Sequence, residues 1–77
     1  MPLVEINAFA GELSKVQTQE LIRKVTDVVV SLAGESLRQA TWVVVQEVKS
    51  GNWGVGGTAL GLDDIRAIQA GKPPQAR

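Results

Sequence analysis

Thr41-Trp42-Val43-Val44-Val45-Gln46-Glu47-Val48 is the stretch that decides the fold. It is rich in β-branched residues, contains no Gly or Pro, and reads as a strand. Trp42, Val44, Gln46 and Val48 share one face, and Thr41, Val43, Val45 and Glu47 share the other. A pattern that is mostly apolar on both faces predicts a central strand covered on each side.

Toward the amino terminus, Leu21, Val25, Val28 and Leu32 recur at helical spacing, with Ile22 and Val29 widening the stripe. The run Val28-Val29-Val30 favours a strand locally, and burial is expected to decide for helix. Ser14 fits the N-cap, Gln17 completes a capping box, and Gly34 is a natural stop. Before the helix, Leu3 to Phe9 reads as another strand, ended by Gly11. Val4, Ile6 and Ala8 share one face of it, while Leu3, Glu5, Asn7 and Phe9 share the other. Strand, helix, strand with short connections predicts a right-handed βαβ unit with parallel strands and the helix on one sheet face.

Toward the carboxyl terminus, Gly51-Asn52-Trp53-Gly54-Val55-Gly56-Gly57 predicts a tight, glycine-rich hairpin. Asp63 to Ala70 reads as a short helix capped by Asp63 and ended by Gly71, and residues 72–77 read as a frayed tail. The expected fold class is α/β (α+β): one βαβ unit, a C-terminal hairpin and a short helix, in a single domain over residues 1–77.

The chain has 77 residues, 44% of them hydrophobic, and contains neither Cys nor His. A core this small rarely supplies more than about 3–5 kcal/mol. Disulfides and Cys/His metal sites are both excluded as staples, so oligomerisation is the expected route to stability. No metal or cofactor is expected. The formal net charge is zero, which argues against a nucleic-acid partner. Glu5 interrupts the first apolar run, no basic segment precedes it, and no apolar stretch approaches the length of about 20 residues that spans a bilayer. No secretory leader or membrane partner is expected, and the default location is the cytoplasm.

Gly54-x-Gly56 does not open a long helix and lacks the Lys-Ser/Thr of a phosphate loop, so nucleotide binding is not expected. Its glycines fit positive φ and close backbone approach at a subunit junction. Glu5, Glu47, Asp63 and Asp64 form no recognisable acid–base pair, and Arg23-Lys24 fits a solvated helix face. One group remains that titrates near neutrality without help. A Met-Pro start favours removal of Met1, which leaves Pro2 with a free secondary amine. An α-amino group has a reference pKa of about 7.7–8.0, and an apolar pocket would lower it. Trp42 and Trp53, the two tryptophans, are candidates for such pocket walls.

Pro2, the strand–helix–strand order and the segment Val43 to Gly57 together resemble the 4-oxalocrotonate tautomerase family, over roughly Pro2 to Leu60. The resemblance implies small subunits in a hexamer and an amino-terminal proline acting as base or acid. It places Pro2 as the catalytic residue and Trp53 at the family's aromatic wall. The two positions of the family's substrate-binding arginines fall at Glu12 or Leu13 and at Trp42, none of them basic. Arg38, four residues before Trp42, is the candidate displaced cation. The implied activity is keto–enol or double-bond isomerisation of an unsaturated keto acid, with an aryl monoacid enol preferred to a dicarboxylate. The alternatives are a non-catalytic or half-catalytic subunit of a mixed hexamer, or a small-molecule binding module. All catalytic readings require removal of Met1, because a retained Met1 makes Pro2 an amide with no basic nitrogen.

Overall fold

The computed structural model describes residues 1–72; the expected frayed tail falls largely on 73–77, outside the described residues. The elements are β1 (Leu3–Phe9), α1 (Lys15–Ala33), a 3-10 helix (Glu35–Ala40), β2 (Trp42–Val48), β3 (Gly54–Val55), β4 (Thr58–Ala59) and α2 (Leu62–Gln69). The architecture is mixed α+β, with β1 and β2 a parallel pair and β3 and β4 an antiparallel one. The chain groups into two compact units, one of residues 1–7 and 14–46, the other of residues 8–13 and 47 onward.

The first unit holds α1, the 3-10 helix and most of β1 and β2. The Trp42 N–H donates to the Pro2 carbonyl at 3.0 Å. In a parallel ladder a residue bonds to the two neighbours of the residue it faces, so Trp42 stands opposite Leu3. Period-two alternation follows: Val4, Ile6, Val43 and Val45 are half-buried, while Leu3, Glu5, Trp42 and Val44 are exposed. The expectation that β2 is covered on both faces is therefore corrected for the chain by itself. Its Trp42 side lies open, with Trp42 59% exposed.

Helix α1 begins as its sequence requires. The Ser14 hydroxyl accepts the Gln17 N–H at 3.1 Å, and the Gln17 side chain accepts the Ser14 N–H at 2.8 Å. It ends at Gly34, whose φ of 108° a side-chain-bearing residue rarely adopts. Its inward face differs from the expected stripe. Leu21, Ile22, Val25 and Val29 are half-buried and Val30 is buried, but Val28 is 60% and Leu32 87% exposed. The valine run is helical, yet only two of its three members face inward. The 3-10 helix was not legible as an element. It is closed by the Thr41 hydroxyl, which donates to the Leu37 carbonyl at 2.8 Å.

The second unit is built on buried Ala8, Phe9, Leu60 and Asp64. The Ala10 N–H donates to the Val48 carbonyl at 2.8 Å, which sets Phe9 opposite Val48. Gly56 and Gly57, with φ of 58° and 85°, form the two-residue turn between β3 and β4. Open space surrounds both, so left-handed backbone alone accounts for glycine there. Helix α2 starts one residue earlier than expected, with Gly61 at its N-cap. The capping carboxylate is that of Asp64, not Asp63: Asp64 Oδ2 accepts the Gly61 N–H at 2.8 Å. Asp63 is exposed in the first turn. No described helix is long and apolar enough to cross a membrane.

Candidate active site

In the first unit, Pro2 is half-buried at the head of β1, and the backbone bond from Trp42 to its carbonyl fixes it against the start of β2. The Trp42 indole stands on the open side of the sheet beside Leu3. Pro2 and Trp42 are thus brought together through the ladder rather than by sequence proximity.

Arg38 lies in the same unit, and its fork is already occupied. Nε and Nη2 donate to the Glu35 carboxylate at 3.0 and 3.2 Å, and Nη1 donates to Asp27 at 2.9 Å. Glu35 first and Asp27 second raise its pKa further above the ordinary guanidinium value. The Arg38 carbonyl accepts the Thr41 N–H at 3.3 Å. Arg38 therefore ties the 3-10 helix to α1 just before the chain enters β2 at Trp42.

In the second unit, Trp53 is half-buried and immediately precedes β3. Its carbonyl accepts the Leu60 N–H at 2.8 Å, which extends the hairpin ladder by one pair. Glu12 is half-buried on the turn after β1. Its Oε1 accepts the Phe9 N–H at 3.0 Å while its own N–H donates to the Phe9 carbonyl at 2.9 Å. The carboxylate is used to close the turn. Gly11, with φ of 87°, supplies the bend. Arg66 of α2 donates to the Gly11 carbonyl at 2.7 Å, a contact with no signal in the sequence because 55 positions separate the two residues. No group of described His, Cys, Asp or Glu residues has the geometry to hold a metal ion.

Residues 2–63 match the family described as tautomerase enzyme. The chain is 33% identical over 60 residues to "Probable tautomerase K2" of Dickeya dadantii (strain 3937), covering 78% of this chain and 88% of that protein. It resembles the crystal structure of a 4-oxalocrotonate tautomerase homologue with a TM-score of 0.69 at 25% identity, over 77% of this chain and 90% of that one. It also resembles DmpI from Helicobacter pylori with a TM-score of 0.63 at 31% identity, over 75% and 94%. The chain belongs to the tautomerase family, in its 4-oxalocrotonate tautomerase branch. That membership supports an isomerase activity of the tautomerase class.

Proposed function

We propose that the chain catalyses keto–enol or double-bond isomerisation of an unsaturated keto acid, with the Pro2 amine, freed by removal of Met1, as the proton carrier. The observation that supports this most directly is the family match. It begins at residue 2, and Pro2 is the first residue tied into the β1–β2 ladder. A neutral secondary amine takes a proton from the carbon next to a carbonyl, giving a dienol or dienolate. The resulting ammonium then returns a proton to another carbon. No redox partner or cofactor enters that balance.

Trp42 and Trp53 are read as apolar walls for the substrate, each with a large aromatic face. Arg38 has N–H donors left over from its two carboxylate partners, but its charge is already opposed by both. In this reading it contributes a hydrogen bond rather than a free cation. The substrate is a small enol or unsaturated keto acid. We read the chain as one tautomerase-like domain that acts in the cytoplasm as part of an oligomer, a hexamer of this chain or a mixed one.

The mixed assembly is favoured by one observation. By the resemblance, the family's two arginine positions fall at Glu12 or Leu13 and at Trp42, and the Glu12 carboxylate is committed to the Phe9 N–H. A related chain would then supply the missing cations. Sedimentation and turnover of the purified single chain separate the two assemblies.

The test of Pro2 combines intact mass with turnover of a phenylenolpyruvate-like enol. Protein of mass lacking Met1 is expected to be active. A Pro2 variant that retains Met1, or amine-blocked protein, is expected to lose about 10²–10⁴-fold in rate, the range of a positioned proton carrier. Equal turnover by blocked and free protein would exclude Pro2.

A further inference from the structure

Helix α1 and the 3-10 helix meet at Gly34, whose φ is 108° and whose missing side chain leaves open space. A glycine joint does little by itself to hold an angle. The backbone bonds on either side of it are local: the Gly34 N–H donates to the Val30 carbonyl at 2.9 Å, and the Leu37 N–H to the Gly34 carbonyl at 3.1 Å. Arg38 makes a longer reach. Two of its three hydrogen bonds stay inside the 3-10 helix, from Nε and Nη2 to the Glu35 carboxylate at 3.0 and 3.2 Å. The third crosses 11 positions to α1, from Nη1 to Asp27 Oδ1 at 2.9 Å.

The far end of the 3-10 helix is the entry to β2. The Arg38 carbonyl accepts the Thr41 N–H at 3.3 Å, and the Thr41 hydroxyl donates to the Leu37 carbonyl at 2.8 Å. The next N–H, that of Trp42, donates to the Pro2 carbonyl at 3.0 Å. Asp27, Arg38, Thr41, Trp42 and Pro2 thus lie on one unbroken path of hydrogen bonds and backbone, every step inside the first unit.

The Asp27–Arg38 pair is half-solvated, with side chains 46% and 39% exposed. Solvated ion pairs contribute little to stability. Geometry is a different matter, because misplacing a reacting group by about 1 Å can lower a rate by about 10²-fold. A contact with little weight in folding, set on the path to Trp42 and Pro2, acts through placement. Asp27 also stands 3.7 Å from Arg23 Nη1, but that pair joins residues of the same helix and leaves the 3-10 helix untouched.

We infer that Asp27 is a positioning residue of the proline site: by holding Arg38 it fixes the angle at which the chain enters β2, and so the placement of Trp42 against Pro2. This rests on the tautomerase reading of Pro2. It adds to that reading a residue of α1 that acts through Arg38 and the 3-10 helix.

The experiment compares wild type with D27A, D27N and R23Q. Ala favours helix, so D27A removes the carboxylate and keeps α1. Asn keeps an acceptor oxygen for Arg38, and R23Q removes the other cation beside Asp27 while leaving Arg38 bonded. Circular dichroism melts check folding, and rates are expressed per folded molecule. In Met1-processed protein, kcat/KM for phenylenolpyruvate is expected to fall about tenfold in D27A, to recover in part in D27N and to match wild type in R23Q. A second readout needs no turnover. Hydrogen exchange followed by NMR is expected to be about fivefold faster at the Thr41 and Trp42 amides of D27A, the most that one solvated pair supplies. The Gln46 amide, four residues further along β2, is expected to be unchanged. Faster exchange at Trp42 in D27A of a protein that turns over no enol would support the positioning role and place the failure on the Pro2 chemistry. Trp42 exchange in D27A equal to wild type, an unchanged kcat/KM in D27A, or the same losses in R23Q overturns the inference.

Discussion

The two compact units are stabilised in different ways. The first is laced with ion pairs: Glu20 with Arg23 and Lys24, Asp27 with Arg23 and Arg38, Glu35 with Arg38. Its only fully shielded apolar side chain is Val30, while Leu3, Trp42, Val28 and Leu32 are open. The second unit holds Phe9 at 1% exposure and Asp64 at 0%, and its polar groups close turns: Glu12 onto Phe9, Asp64 onto Gly61, Arg66 onto Gly11. Surface ion pairs are each worth about 0–1 kcal/mol, whereas a buried aromatic is worth several. The first unit thus keeps apolar surface for a neighbour, and the second carries most of its cohesion inside.

The comparison breaks most readily at Phe9. Replacing it with Ala removes the largest buried side chain of the second unit and is expected to cost about 3–5 kcal/mol. That equals the whole stability of about 3–5 kcal/mol expected of so small a core, so the isolated variant should be largely unfolded at 25 °C. Urea denaturation followed by Trp53 fluorescence measures it. A midpoint close to that of wild type would show that cohesion lies elsewhere.

Much of this division was legible beforehand. The capping box at Ser14 and Gln17, the stop at Gly34 and the Gly56-Gly57 turn are local devices, and each appears where the sequence puts it. The parallel pairing followed from the strand–helix–strand order. The errors concern facing. Leu21, Val25, Val28 and Leu32 fit a helical stripe, but the helix turns Val28 and Leu32 outward and faces Ile22, Val29 and Val30 inward beside Leu21 and Val25. Apolar residues are plentiful on several faces of α1, so periodicity alone does not choose among them. Asp63 and Asp64 are equivalent as letters, and only the start at Leu62 sets Asp64 at the third helical position, where it reaches back to Gly61. The site candidates Pro2, Trp42, Trp53 and Arg38 all came from the sequence and its resemblance. The contact of Arg66 with Gly11 joins residues 55 positions apart and has no local signature.

A smaller effect sharpens the role of the open sheet face. Leu3 and Val44 are exposed on that face, Leu3 at 55% and Val44 at 36%. Changing both to Gln should leave the stability of the dissociated chain within about 0.5 kcal/mol, as for surface substitutions generally. If the face is covered by another subunit, each Leu or Val removed costs about 1.5–3 kcal/mol at that interface. Sedimentation of the double variant is therefore expected to show a lighter species than wild type at the same concentration. An unchanged assembly would move the interface to the Val28 and Leu32 side of α1.

The smallest expected effect is on acid stability, and it concerns Glu20. Lys24 first, through a hydrogen bond, and then Arg23 hold its carboxyl below the ordinary value of 4.5. A carboxyl whose pKa is lower folded than unfolded binds fewer protons in the folded chain near those values. Its contribution is complete above the unfolded pKa and is lost as pH falls through the folded one, so the sensitive window lies below about pH 4.5. The Glu20 side chain is partly exposed, and at 0.1 M salt the Debye length is about 10 Å, so raising salt should weaken the effect. E20Q is accordingly expected to flatten the acid limb of a pH–Tm profile slightly at low salt and to match wild type at 1 M salt. The contribution belongs to the first unit, which holds Glu20 with its two partners Lys24 and Arg23. A difference between E20Q and wild type that persists unscreened at high salt would show that Glu20 acts through packing, and the contrast between a charge-laced unit and a turn-closed one would need redrawing.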